Sequence, residues 1–297
     1  MLRHRLITGT LLVAALLGLL WVDGAVSARM HDDAAVVRLL GTSDGLALTA
    51  LALLVLAPVL GAELAAMLRG AGVAAPRALT ALAAVAGCAA VRCVPAFEDP
   101  ATAGAAVATA TAGVLAAAFV VHTRGERVAG AIAAAGGTML AFAWVGAMLG
   151  TWLLVRTEVG PWVLAGAILT VKSSDIGAYA VGMSIGRHKM IPWLSPGKSW
   201  EGFAGGIGFA AVVGGTLAWL SAGLAHPLDR VPVALGAATG AVLGVVGPFG
   251  DLAESLLKRN AGCKHSGSSL PGMGGLFDVL DSPLLAGPVV WWALQLR

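Results

Sequence analysis

Apolar residues run in long blocks along this chain, and polar residues fall in short breaks between them. Nine blocks stand out, at roughly 6–25, 46–67, 78–96, 102–122, 130–155, 160–184, 203–224, 231–256 and 279–296. Several approach about 20 residues, the length an α-helix needs to cross a bilayer core. The alternation of period two that marks a transmembrane barrel is absent. Lipid-exposed backbone must satisfy its own hydrogen bonds, so such blocks predict helices. The expected fold is an all-α integral membrane protein with about nine transmembrane helices. The block at 130–155 is long enough to be tilted, or broken at Gly136–Gly137.

Composition agrees: 58% of residues are hydrophobic and only 12% are charged, with a mean hydropathy of +0.86. The 41 glycines read mainly as packing residues, because small side chains let membrane helices approach closely. A net charge of +3 fits the positive-inside habit of membrane proteins and gives no sign of nucleic-acid binding. Three cysteines are too few and too scattered for a disulfide framework or a zinc site, and Cys88 and Cys93 read as small apolar packing residues. Arg3 and Arg5 ahead of Leu6–Trp21, with Val26 and Ala28 beyond, have the outline of a signal peptide. A retained first helix is favoured, since the rest of the chain is also membrane-spanning.

Lysine and arginine placement gives an orientation. With the N-terminus cytoplasmic, Arg3, Arg5, Arg69, Arg77, Arg124, Arg127, Arg187, Lys189, Lys198, Lys258, Arg259 and Lys264 lie inside. Arg29, Arg38, Arg92, Arg156, Arg230 and Arg297 lie outside, a ratio of twelve to six. The polar loops 185–202 and 257–278 then both face the cytoplasm, and Asp175, Asp251, Asp278 and Asp281 sit at the same side. Arg156 reads as an interfacial anchor, and Asp23, Asp32, Asp33 and Glu98–Asp99 as solvated loop charges on the far side.

Three constellations carry candidate chemistry. The densest is Ser255 to Asp281, SLLKRNAGCKHSGSSLPGMGGLFDVLD, with Lys258, Arg259 and Lys264, a glycine-rich turn, and the acids Asp278 and Asp281. Asp251 lies just upstream beside Pro248 and Gly250. Acids and cations at membrane depth usually face a cavity and mark function. Carboxylates can hold metal ions against phosphates, and glycine loops bring backbone N–H groups close to phosphate oxygens. Asp278 and Asp281, three apart at a helix start, share one face there, where capping alone would also suit them. The second constellation is GRHKMIPWLSPGKSWEG at 186–202, with Lys198 on a tight turn beside Trp200 and Glu201. Its glycine spacing is not that of a Walker loop. The third is Lys172-Ser173-Ser174-Asp175, where the lysine and acid either neutralise each other or leave Asp175 facing the same cavity. Glu63, inside a span, lines an interior surface as site or as packing.

The run Ser255-x-x-Lys258-Arg259, Lys264, Pro271-Gly272-x-Gly274-Gly275, Asp278-x-x-Asp281 resembles the signature of phosphatidate cytidylyltransferases (CDP-diacylglycerol synthases). Asp175-Ile176-Gly177-Ala178-Tyr179, Gly186-Arg187 and Ser195-Pro196-Gly197-Lys198-Ser199-Trp200-Glu201-Gly202 are similar to that family's other shared stretches. The resemblance runs from about residue 150 to the end. There are departures: the family usually has Lys-Asp at Lys264-His265, His-Gly-Gly at Met273-Gly274-Gly275, and Asp-Arg-x-Asp at Asp278-Val279-Leu280-Asp281. A division follows between N-terminal transmembrane helices (1–128) and a catalytic transmembrane region (129–297).

The resemblance implies a multi-pass inner-membrane enzyme that makes CDP-diacylglycerol and pyrophosphate from CTP and phosphatidate. It assigns Mg²⁺, as one ion or two, to Asp251 and Asp278. Lys258, Arg259, Lys264 and Asp281 become catalytic residues. Asp175, Lys198, Trp200, Glu201, Ser255, Gly274 and Gly275 become substrate contacts. CTP, a lipid phosphate and membrane lipids are the implied partners, a homodimer is compatible, and nucleic acid is not a partner. A CTP-dependent transferase for another lipid phosphate, such as an archaeol-type or polyprenyl phosphate, is one alternative. A transporter is another, since buried Asp and Lys beside broken helices are transporter traits, and a catalytically inactive scaffold is a third.

Overall fold

The computed structural model describes residues 2–30, 33–123, 128–224 and 229–297, with side chains from Thr8 onward. Asp32, Arg124 and Arg127 lie outside the described residues, as do the side chains of Arg3 and Arg5. The described chain is helical almost throughout. Its elements are α1 (Leu2–Arg29), α2 (Ala34–Leu40), α3 (Leu46–Gly70), α4 (Arg77–Arg92), α5 (Pro100–Thr123), α6 (Ala131–Glu158), α7 (Pro161–Ile185), α8 (Trp200–Ser221), α9 (Val233–Asn260) and α10 (Phe277–Leu294). One small hairpin, β1 (Lys189–Ile191) against β2 (Ser195–Ser199), interrupts them. Among the described residues, six helices are long and apolar enough to cross a membrane: Thr8–Arg29 within α1, and α3, α5, α6, α8 and α9. This is an all-α membrane protein.

Packing divides the chain into two compact units. One comprises Met1–Thr157 and Leu257–Val279, the other Glu158–Leu256 and Leu280–Arg297. The divisions fall inside α9 and α10, so each of these helices gives one end to each unit. The division at 128/129 drawn from the sequence separates motif-poor from motif-rich stretches and is of a different kind.

In the first unit, α4 packs on α6 through glycines that cannot be replaced without a clash. A Cβ at Gly87 would lie 2.2 Å from the carbonyl oxygen of Phe142, and one at Gly146 would lie 2.3 Å from that of Ala84. The same stretch of α6, Ala141–Ala147, takes up a π-helical form, a rare departure from the α-helical hydrogen-bond ladder. The irregularity expected at Gly136–Gly137 therefore occurs a turn later, and Gly137 instead receives the side chain of Leu68. Leu60, Leu64, Ala84, Cys88, Val145 and Phe277 are all fully buried in this unit.

Two arginines of this unit are buried, against the expectation that they face a loop or an interface. Arg92 is fully buried and donates to Thr49 Oγ1 at 3.0 Å and to the carbonyls of Leu40 and Asp44 at 2.9 and 3.0 Å. Arg156 is 4% exposed and pairs with Asp23 at 2.8 Å. Asp23 is itself fully buried and also accepts the N–H of Leu48. The reading of Asp23 as a solvated loop charge and of Arg156 as an anchor is thus corrected. Arg156 sits in the last turn of α6 and Asp23 within α1, and they complete each other's charge, as burial of an ion demands. Asp33 and Asp99 act as helix caps, accepting from Ala35 and Val36 and from Ala101 and Thr102.

In the second unit, α7 and α8 pack through another glycine seam. A Cβ at Gly206 would meet the carbonyl of Ser174 at 2.8 Å, and one at Gly202 that of Ala178 at 2.8 Å. The β1–β2 hairpin carries the chain from α7 to α8, and Ser199 ends it as the cap of α8, accepting the N–H of Gly202 at 3.2 Å. This fixes Lys198 immediately before a rigid helix start.

Candidate functional site

Among the described residues, each unit holds a cluster of acids and lysines drawn from the motif-bearing stretches. The first is organised by two acids. Glu63, in α3, is 8% exposed. It accepts from Ser269 Oγ at 2.7 Å, from the N–H groups of Leu276 and Phe277 at 3.0 and 2.8 Å, and lies 3.2 Å from Ser266 Oγ. Asp278, the second residue of α10, accepts from Lys258 Nζ at 2.7 Å, from the N–H groups of Ser266 and Gly275 at 2.9 and 2.8 Å, and from Ser266 Oγ at 2.9 Å. The loop 262–276 is therefore moulded onto two carboxylates. Burial pushes the Asp278 carboxyl up, but the Lys258 hydrogen bond and the backbone donors of Gly275 and Ser266 outweigh it and hold it below the usual carboxylate range.

The glycines of this loop have steric reasons. Gly274 has φ of +104°, in the region that side-chain-bearing residues avoid. A Cβ at Gly275 would fall 2.1 Å from Ser266 Oγ and 2.6 Å from Glu63 Oε2. Phe277 closes the cluster from the apolar side, fully buried and packed edge-on against Trp144 at 5.4 Å between ring centres. His265, one of the departures from the family pattern, points Nδ1 toward Asp278 at 3.9 Å. Arg259 and Lys264 are exposed.

The second unit's cluster is richer in acid. Asp251, Glu254 and Asp281 each bring one carboxylate oxygen to within 4.8 Å of the others. Asp281 is 4% exposed and Glu254 is fully buried, while Asp251 is half-buried. Lys198 Nζ reaches Asp251 at 2.7 Å and the carbonyl of Pro248 at 2.8 Å. Lys172 lies 3.7 Å from Asp175 and 3.9 Å from Asp281. Ser282 N–H donates to Asp281 Oδ1. Gly250 permits the approach of α9 to α10 here, since a Cβ on it would meet the carbonyl of Asp281 at 2.5 Å. Three hard oxygen donors at this spacing suit a divalent cation such as Mg²⁺.

The structure thus brings Asp251, Asp281, Lys198 and Asp175 into one cluster, and Lys258, Asp278, Gly274 and Gly275 into the other. Of the two acids assigned from sequence to a metal, Asp251 joins the tri-carboxylate group, whereas Asp278 is engaged by Lys258 and the loop. Ser255 lies on α9 one residue beyond Glu254 and is half-buried. Trp200 is 55% exposed and packs edge-on against Phe203, and Glu201 holds the backbone N–H and ring of His188. Glu254 was not singled out from sequence. The signal for it was its place three residues after Asp251, one turn along the same helix face.

A model of the cytidylyltransferase family matches residues 34–297. The chain belongs to the cytidylyltransferase family. Among curated relatives, the phosphatidate cytidylyltransferase of Mycobacterium bovis is 41% identical over 145 residues, 48% of this chain and 45% of that protein. That of Bacillus subtilis is 43% identical over 130 residues, 44% of this chain and 46% of that protein. The uncharacterized protein YnbB of Escherichia coli is 35% identical over 153 residues, 48% of this chain and 47% of that one. The chain spans about half the length of the curated relatives it matches. Both polar clusters lie inside the residues that the family model covers.

Proposed function

We propose that this cytidylyltransferase-family member transfers a cytidylyl group from CTP to phosphatidate, giving CDP-diacylglycerol and pyrophosphate. In the reaction a phosphatidate oxygen forms a bond to the α-phosphorus of CTP, and the bond from that phosphorus to the bridging oxygen of the β-phosphate breaks. Such transfers rely on positioning and charge neutralisation more than on a covalent nucleophile. The observation that carries the reading is the convergence of Asp251, Glu254 and Asp281 within 4.8 Å, beside two lysines, in a protein of this family.

Asp251, Glu254 and Asp281 would hold Mg²⁺, which when bound neutralises phosphate charge and stabilises the transferring group. This replaces Asp278 as a ligand by Glu254 and Asp281. Lys198, fixed by the cap of α8, presents a cation to a phosphate, and Lys172 balances Asp281. Trp200 and Glu201 flank the nucleotide. Lys258, Arg259 and Lys264 supply positive charge for phosphate oxygens, with Lys258 oriented by Asp278. Gly274, at φ of +104°, lets the loop turn ahead of Asp278, and the N–H of Gly275 helps hold that acid in place. With α4, α7 and α10 the chain makes nine crossings, with a cytoplasmic N-terminus and the chemistry at the cytoplasmic face of the inner membrane. The cation ratio supports that orientation, and so does the cytosolic supply of CTP.

The test is conversion of phosphatidate by purified protein in detergent with CTP, with Mg²⁺ and with a chelator, alongside a panel of other lipid phosphates. Mg²⁺-dependent CDP-diacylglycerol supports the reading. Product only with a different lipid phosphate shifts the acceptor, the alternative that the substitutions at His265, Met273 and Val279 favour. Folded protein that neither binds CTP nor forms product refutes the enzyme reading.

A further inference from the structure

We propose that a pocket beside Glu63, in the first unit, binds the phosphoglycerol head of a phosphate-monoester lipid, with Arg69 and Arg77 as its anion contacts. The inference rests on the proposed acceptor class and adds a location that neither the motifs nor the family match assign.

The pocket encloses about 400 Å³, within the range of small-ligand sites. Its walls have two characters. It is lined by Val59, Ala62 and Ala66 of α3, and by Arg69, Arg77 and the serines at 266, 268 and 269. Val59, Ala62, Ala66 and Arg69 follow one another at spacings of three, four and three, so they form a single stripe along α3. Ala66 and Arg69 on this stripe are exposed, and Leu54 and Val55, just before it in the helix, are 77% and 45% exposed. An apolar track on a helix that can cross a membrane, ending on a guanidinium at the helix terminus, has the polarity of a lipid with a charged phosphate. A volume of 400 Å³ admits the head and glycerol and leaves the acyl chains alongside the exposed stripe.

The cations are available for an anion. Arg69 spends one donor on the carbonyl of Ala75 at 3.2 Å, and a guanidinium carries five. No ion pair engages Arg69 or Arg77 among the described residues. Arg77 opens α4, where its charge adds to the positive end of the helix dipole, and a bound anion would relieve that repulsion. The one acid of the pocket, Glu63, is turned to the loop, accepting from Ser269, Leu276 and Phe277. Arginine pairs bind phosphates by forked, charge-assisted hydrogen bonds.

The experiment uses the full chain in mixed micelles, with saturating CTP and titrated phosphatidate. The double variant R69Q/R77Q should raise the KM for phosphatidate by about tenfold or more, as loss of charge-assisted phosphate contacts implies, with the KM for CTP within about twofold. A66W, which fills the pocket from an exposed position, should do the same. R38Q removes an exposed cation of the same unit outside the pocket and should leave both constants unchanged. An unaltered phosphatidate KM in R69Q/R77Q and in A66W overturns the pocket. So does an equal rise in R38Q, which would mark a general interfacial charge effect. If the wild-type chain forms no product, the cytidylyltransferase reading fails separately. Native mass spectrometry of phosphatidate against phosphatidylglycerol then decides the pocket: selective phosphatidate retention lost in R69Q/R77Q supports it, and equal retention of the two lipids refutes it.

Discussion

The carboxylate of Glu63 accepts the backbone N–H of Phe277 at 2.8 Å across 214 residues of sequence. This bond ties α3, a helix long and apolar enough to cross a membrane, to the first residue of α10, and with its companions it fixes the glycine loop that precedes Asp278. A buried carboxylate is tolerated here because the loop supplies the donors that water would otherwise provide.

Replacing Glu63 by Gln keeps the shape but removes the charge and turns an amide N–H₂ toward N–H donors. The expected cost is about 1–3 kcal/mol, the penalty for leaving buried donors unsatisfied. Thermal unfolding in detergent should show a lower Tm, and limited proteolysis should show faster cutting within 262–276. An unchanged Tm together with an unchanged cutting rate would mean that Glu63 does not hold the loop.

Gly275→Ala should be poorly tolerated, since the added methyl would sit 2.1 Å from Ser266 Oγ. Overpacking of this kind typically costs about 1–3 kcal/mol. Gly104→Ala is the matched control, because nothing lies within 4 Å of a Cβ there. Comparable melting of the two variants would contradict the close packing of loop and acid.

Lys258→Met removes the ammonium that faces Asp278, a carboxylate side chain only 9% exposed. Breaking one side of a buried pair costs roughly 3–5 kcal/mol. Adding Asp278→Asn to that variant should recover much of the Tm, while cytidylyl transfer stays lost because Lys258 is proposed to meet phosphate. Recovery of both together would assign Lys258 a structural role alone.

Asp278 also sets a pH dependence. Its folded carboxyl titrates below the ordinary value of 3.8. Its contribution is therefore fully present above that value and is lost only as pH falls through the lower folded value. Hydrogen exchange of the Ser266 and Gly275 amides should show protection that holds down to about pH 4 and then falls. In Asp278→Asn the acid-dependent step should be missing. Loss of protection already at pH 5 to 6 in wild type would contradict the Lys258 pairing.

Sequence reading reached the helices readily, because each long apolar block is a local property of the chain. It did not reach the partners of buried charges. Asp23 and Arg156 are 133 residues apart, and no periodicity links them, so each alone looked like a loop or interface charge. Asp278 and Asp281 lie three apart at one helix start, yet their neighbours differ: Asp278 meets Lys258 and the glycine loop, and Asp281 meets Asp251 and Glu254. The motif named the acids, and tertiary packing chose their partners. Glu254 was legible only as the residue one turn beyond Asp251, and its burial was not.

The most direct measurement of the proposed metal site is the Mg²⁺ dependence of CDP-diacylglycerol formation in wild type, Glu254→Gln and Asp281→Asn. Loss of a carboxylate ligand should raise the Mg²⁺ concentration for half-maximal activity by about tenfold or more, or abolish activity, in both variants. Wild-type Mg²⁺ dependence in both would contradict the assignment of the metal to Asp251, Glu254 and Asp281.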